Sequence, residues 1–99
     1  LPPYQYLANI RCRGKNMEKL VDMLIQVKKF LQPFSIQIYG PAPAPLTRIS
    51  NQYRMQLLLK AKSRKTLQYA LTSLREWITM NKLFNGIRWL IDVDPLDLS

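Results

Sequence analysis

"YRMQLLLKAKSRKTLQYALTSLREWI", residues 53–78, changes its periodicity part-way, and that change decides the fold. In the first nine residues Tyr53, Met55, Leu57 and Leu59 alternate with Arg54, Gln56, Leu58 and Lys60. A two-residue period of this kind marks a half-buried strand. From residue 67 the apolar positions become Leu67, Ala70, Leu71, Leu74, Trp77 and Ile78. That is the 3.6-residue period of a helix lying on a core. Ser63 stands where a side-chain oxygen can cap the first turn. The segment is therefore a strand that feeds directly into a helix.

The same pair of signals occurs earlier in the chain. "YQYLANIRCR", Tyr4 to Arg13, places Tyr6, Ala8, Ile10 and Cys12 on one face and Gln5, Asn9, Arg11 and Arg13 on the other. Gly14 ends it, and Asn16 is positioned to cap a helix. Met17, Leu20, Val21, Leu24, Val27 and Leu31 form that helix's apolar stripe, with Glu18, Lys19, Lys28 and Lys29 largely outside it. Pro33 marks the exit. "FSIQIYG", residues 34–40, reads as a short strand. Pro41 to Pro45, "PAPAP", cannot occupy a central strand, because proline has no N–H to donate. It is expected to run extended, close to polyproline II, as a stiff spacer that fixes how a loop leaves the second strand, either to dock on a neighbouring domain or as a rigid hairpin connection without a partner. Asn85-Gly86 turns the chain into a last strand, "IRWLIDVD".

Strand, helix, strand, strand, helix, strand is the order of the split βαβ, ferredoxin-like plan. It implies an α+β fold, with two helices on one face of a four-stranded antiparallel sheet. The other face is then open. If the helices cover the apolar side, Arg11, Arg13, Arg54, Gln56, Lys60 and Arg88 fall on the open side. An error of one residue in register would reverse that assignment.

Charge gives the open face its meaning. Fifteen Lys and Arg residues stand against six acids, a net charge of +9. Three of the acids, Asp92, Asp94 and Asp97, lie in the last eight residues. Residues 1–91 thus carry 15 bases and three acids, a net of +12. Such an excess favours phosphate backbones or acidic protein segments over a merely solubilising surface. The length, 99 residues, fits one domain. Without an initiating Met, Leu1-Pro2-Pro3 is the expected start of a single domain, residues 1–99, cut from a longer protein. No apolar run reaches the roughly 18 residues of a membrane span. The lone Cys12 cannot form an internal disulfide, and its place in the alternation predicts a buried thiol.

Catalytic and metal chemistry find little support. There is no His, and one Cys cannot build a zinc set. Asp92 and Asp94 share a face of the last strand; they could hold Mg²⁺ or pair with nearby Arg and Lys. The three glycines are unclustered, so no phosphate-cradling loop can be assembled. An RNA-recognition module of the same plan stacks bases on aromatics of its central strands. Here those strands offer Arg, Gln, Asn and Leu on the open face, without the basic-Gly-aromatic signature, so contact to the nucleic-acid backbone is expected. Trp77 and Trp89 are expected to pack into the core. The start of the second helix reads either as a solvated helix start or as an anion cradle made of free N–H groups, Ser63, and Arg64 and Gln68 one turn apart on a shared face.

"GPAPAPL", "YRMQLLLKAKSRKTLQ" and "RWLIDVDP", together with "LPPYQYLANIRCRG", resemble the C-terminal domain of the PriA family of bacterial replication-restart helicases. Nearly the whole chain takes part in the likeness. Tyr4 stands where Phe is common, and Cys12 occupies a variable position. The resemblance implies a fold like ribosomal protein S10. It implies a parent that is an ATP-driven 3′-to-5′ DNA helicase needing ATP, Mg²⁺ and zinc, none of them held by this fragment. It also implies a non-enzymatic domain, monomeric and working in the cytoplasm at the bacterial nucleoid. Such a domain helps to engage stalled or branched forks during primosome assembly. Its expected partners are single-stranded or branched DNA, other domains of the helicase, and the acidic tail of single-stranded-DNA-binding protein. The family's tail-binding positions fall on Arg64 and Gln68. Arg11, Arg13, Arg54, Lys60 and Arg88 are the residues expected to meet nucleic acid. A stand-alone ribosomal-type RNA-binding protein and a purely structural docking domain are the rival readings.

Overall fold

The computed structural model describes residues 5–94. Tyr4, at the start of the expected first strand, and Asp97, one of the C-terminal acids, lie outside the described residues. The elements run β1 (Tyr6–Gly14), α1 (Met17–Leu31), β2 (Gln37–Ile49), β3 (Gln52–Ala61), α2 (Arg64–Asn81) and β4 (Arg88–Val93). The strands form one sheet in the order β2-β3-β1-β4, and every neighbouring pair is antiparallel. This is the expected α+β, split βαβ architecture.

Each helix begins where the sequence supplies a cap. Asn16 Oδ1 accepts from the Lys19 N–H at 3.2 Å, and Ser63 Oγ accepts from the Thr66 N–H at 3.3 Å. Both remove one unpaired donor from a first turn. The two apolar stripes then meet the sheet. Ile10, Leu57 and Leu59 from the strands and Leu20, Leu24, Val27, Leu31, Leu67, Leu71 and Leu74 from the helices are fully buried. Alternation in β1 and β3 follows the expected faces, with Ala8, Ile10, Cys12, Met55, Leu57 and Leu59 all inward. Trp77 stacks on Phe30 at 4.5 Å between centroids, and Trp89 on Phe84 at 5.3 Å. Both tryptophans are packed against the core as expected. Cys12 is a buried free thiol. Loss of hydration pushes its pKa up from 9.0 to about 12, against the opposing pull of a backbone hydrogen bond at Met55.

The proline run departs from expectation. Pro41–Pro45 is not a loop spacer, for β2 continues through it to Ile49. Pro43 lies opposite Met55 and Ala42 opposite Gln56. The physical reason is the position of β2 at the sheet's edge. An edge strand turns alternate N–H positions to solvent, and there a proline forfeits no ladder bond. The register is irregular between Tyr39 and Ala42 and again between Pro43 and Arg48. Gly40 makes the first irregularity possible. Its φ is +112°, and a Cβ there would stand 3.0 Å from the Gln56 carbonyl oxygen. Its own carbonyl accepts from Lys28 Nζ at 2.9 Å, which ties the end of α1 to the bulge. Ser50 and Asn51, with φ of 53° and 63°, close the β2–β3 hairpin. Two consecutive left-handed residues suit the twist of a two-residue hairpin turn.

Candidate functional site

The helices cover one face of the sheet, and the opposite face carries the cations. Cross-strand register arranges them in rows. Arg54 of β3 stands directly opposite Arg13 of β1, and Arg13 stands opposite Arg88 of β4. The neighbouring row on the same face is Gln56, Arg11 and Leu90. Four guanidinium-bearing residues therefore occupy two adjacent rows. They line an open depression of about 610 Å³, to which Ala44 and Leu90 also contribute.

Electrostatically this is an unusual arrangement for a free surface. Like charges directly opposite one another across a sheet are destabilising. In the Arg54–Arg13–Arg88 row three cations face each other with no acid among them. Arg11 alone of the four forms an ion pair among the described residues, with Asp92 Oδ2 at 3.5 Å. Both side chains of that pair are about half exposed, 53% each. So open a pair is worth little and is readily exchanged for another anion. An incoming oxyanion would relieve the row's repulsion, and a guanidinium can offer it two parallel hydrogen bonds.

Lys60 lies on the same face but does not join this group. It pairs with Leu7 and Gln37, six residues along β3 from Arg54, or roughly 20 Å at the rise of a strand. Its Nζ lies 5.5 Å from the ring centroid of Tyr39. Between the two ends, Asn9 Nδ2 donates to Gln56 Oε1 at 3.0 Å. Tyr39 and Leu90 on this face received no functional reading from the sequence. Tyr39 could have been found by extending the face assignment across β2, where it alternates with Ile36 and Ile38.

Arg64 and Gln68 sit on α2, on the other side of the sheet, and both are exposed. The first-turn geometry is as expected for Ser63, and Arg64 meets an aromatic ring of β1. Its guanidinium carbon lies 5.6 Å from the ring centroid of Tyr6, a cation–π contact. A smaller depression, about 390 Å³, opens beside the helix start and is lined by Lys60, Lys62, Ser63, Thr66 and the segment from Phe34 to Gln37. Neither Arg64 nor Gln68 lines it. Asp92 takes the ion-pairing course that its sequence position allowed. Among the described residues no group of three His, Cys, Asp or Glu side chains comes together, and no helix is long and apolar enough to cross a membrane.

Residues 1–96 match the family model described as the primosomal protein N C-terminal domain. A replication restart protein PriA of Haemophilus influenzae is 40% identical, the match covering 100% of this chain and 14% of that protein. The replication restart protein PriA of Synechocystis is 34% identical, over 99% of this chain and 12% of its own length. That of Bacillus subtilis is 30% identical, over 95% and 12% respectively. The chain thus spans about an eighth of such relatives. Among solved structures, the designed protein Foldit4 superposes with a TM-score of 0.70 at 10% identity, covering 92% of this chain and 97% of that one. A dimeric ferredoxin-like protein from an uncultured marine organism gives 0.62 at 9% identity, covering 91% and 92%. These two likenesses concern the fold alone.

Proposed function

The chain belongs to the primosomal protein N C-terminal domain family, and on that premise we propose that it is a DNA-binding and partner-docking domain of a replication-restart helicase. It engages stalled or branched forks through the open sheet face. One observation carries this reading: the Arg54–Arg13–Arg88 row, with Arg11 beside it, on a surface the helices leave bare. Its cations sit on strands rather than on mobile loops, so their spacing is fixed by the sheet. They suit phosphates, and they offer no base-edge code, so binding should be nearly independent of sequence.

Its relatives are replication restart proteins PriA by name, and family membership weighs against a stand-alone ribosomal-type protein. Catalysis is assigned to the absent remainder of the parent, where ATP, Mg²⁺ and zinc would also be held. On this reading the domain acts as a monomer in the bacterial cytoplasm, at the nucleoid, and docks on the other domains of the helicase. Arg64 and Gln68 are proposed to meet the acidic tail of single-stranded-DNA-binding protein. Arg64 would leave the Tyr6 ring, or reach the tail carboxylate from above it.

The test is a fluorescence-anisotropy titration of the chain with forked and single-stranded DNA at several salt concentrations. Neutralising four phosphates predicts a log–log salt slope of about −3 on a single strand. Arg13→Ala and Arg54→Ala should each weaken binding to every sequence and flatten the slope by about 0.7. Binding that is indifferent to salt, or unchanged in both variants, removes the assignment.

A further inference from the structure

The open face has a second feature, at the end away from the arginine row. Among the described residues, two exposed large apolar side chains lie on this face: Leu90, 52% exposed, beside the arginines, and Tyr39, 48% exposed, at the far end. Tyr39 stands opposite Leu58, which stands opposite Asn9. It is thus four residues along β3 from the arginine row, roughly 13 Å at the rise of a strand. Its hydroxyl is held by its own strand, donating to Gln37 Oε1 at 3.1 Å. Its ring stands outside the buried core cluster and has Lys60 Nζ 5.5 Å from the centroid. Reading along the face, there are four arginines, then the Asn9–Gln56 amide pair, then an aromatic ring with a lysine beside it.

A purely electrostatic surface has no use for the ring. Duplex DNA presents phosphates to a sheet face but keeps its base faces stacked inside. A single strand presents both, and surfaces that hold single strands combine a cationic track with aromatic platforms. Resting on the DNA-binding reading above, we propose that the open face is a single-strand site on which Tyr39 stacks a base. The arginine row holds the phosphates at one end. Lys60, beside the ring, holds the phosphate next to the stacked base at the other. Stacking on one ring tolerates any base, in keeping with the absence of a base-edge code. Leu90, beside Arg11 at the arginine end, gives apolar contact to a sugar or a base edge.

The experiment compares the chain with Tyr39→Leu and Tyr39→Phe, each titrated with a short oligothymidylate and with duplex DNA of equal length. Thermal melts first establish that the variants fold. Tyr39→Leu should lose about tenfold in single-strand affinity, within the range of an aromatic platform, and keep its duplex affinity. Tyr39→Phe should bind like the parent, because the ring and not the hydroxyl stacks. An oligothymidylate carrying 5-bromodeoxyuridine should crosslink to Tyr39 on irradiation. Wild-type single-strand affinity in Tyr39→Leu, with losses still seen in Arg13→Ala and Arg54→Ala, overturns the stacking role and leaves the phosphate site standing. Equal losses for both DNAs in Tyr39→Leu also overturn it. If neither the arginine nor the Tyr39 variants lose affinity, the DNA reading beneath it fails as well.

Discussion

Cys12 illustrates how far a single residue's position fixes its chemistry. Alternation in β1 turns it inward, and burial raises its pKa from 9.0 to about 12. The thiol is therefore inert as a nucleophile or metal ligand at neutral pH, since both roles need the thiolate. The shift also couples to stability. Below pH 9 both folded and unfolded chains keep the proton, and the stabilisation is fully present. Between pH 9 and about 12 the unfolded chain releases a proton that the folded chain retains, so stability falls as pH rises. Within that interval Cys12 should contribute about a tenfold rise in the unfolding constant per pH unit. The contribution of the thiol is therefore read as a difference between wild type and a variant that lacks it. Urea unfolding of wild type and Cys12→Ala at several pH values should show a shallower alkaline decline in the variant. Parallel declines would mean that the thiol is hydrated in the folded chain.

At the scale of elements, the start of α2 and the course of β2 teach opposite lessons. α2 was legible from Ser63 and the Leu67–Ile78 periodicity, because a cap and an apolar stripe are local features. Ser63→Ala should remove the 3.3 Å bond to the Thr66 N–H and cost about 1 kcal/mol in denaturant unfolding. A cost near zero would mean that water replaces the hydroxyl without loss. β2 was legible only up to Gly40. Whether Pro41–Pro45 is loop or strand depends on which strand it neighbours and on which side that neighbour lies. No local pattern encodes that, but the order β2-β3-β1-β4 does. Once β2 is at the edge, its prolines have a use, since an edge poor in N–H donors resists pairing with another chain's strand.

Across the whole molecule, the two proposed binding surfaces lie on different sides of the sheet. The arginine row occupies the open face, and Arg64 projects from α2 on the covered one. The sheet lies between them, so a charge removed from one should leave the other intact. In a full-length restart protein carrying this domain, Arg64→Ala should weaken binding of the acidic tail peptide about ten- to hundredfold, the range of a lost charge-assisted hydrogen bond. Forked-DNA affinity should stay nearly unchanged. Arg54→Ala should do the reverse. Parallel titrations with peptide and fork decide the matter: losses for both ligands in either variant would reveal one shared basic surface in place of two.

The order of the six elements, the inward faces of β1, β3 and both helices, and the excess of cations on the residues left outside follow from the amino-acid sequence alone. Those properties are carried by periodicities of 2 and 3.6 residues and by capping side chains, all within a few positions of one another. The remaining features arise from pairing between distant segments. Arg13, Arg54 and Arg88 are 34 to 75 positions apart in the chain and become one row solely through the antiparallel register of three strands. Lys60, read as their companion, is left at the far end because the same register pairs it with Leu7 and Gln37. Tyr39 is set opposite Leu58, near Lys60, because β2 is stitched to β3 before the Gly40 bulge shifts the register. Strand pairing is a contact between distant residues, and its register is set by the packing of the whole core, which no short window of sequence contains.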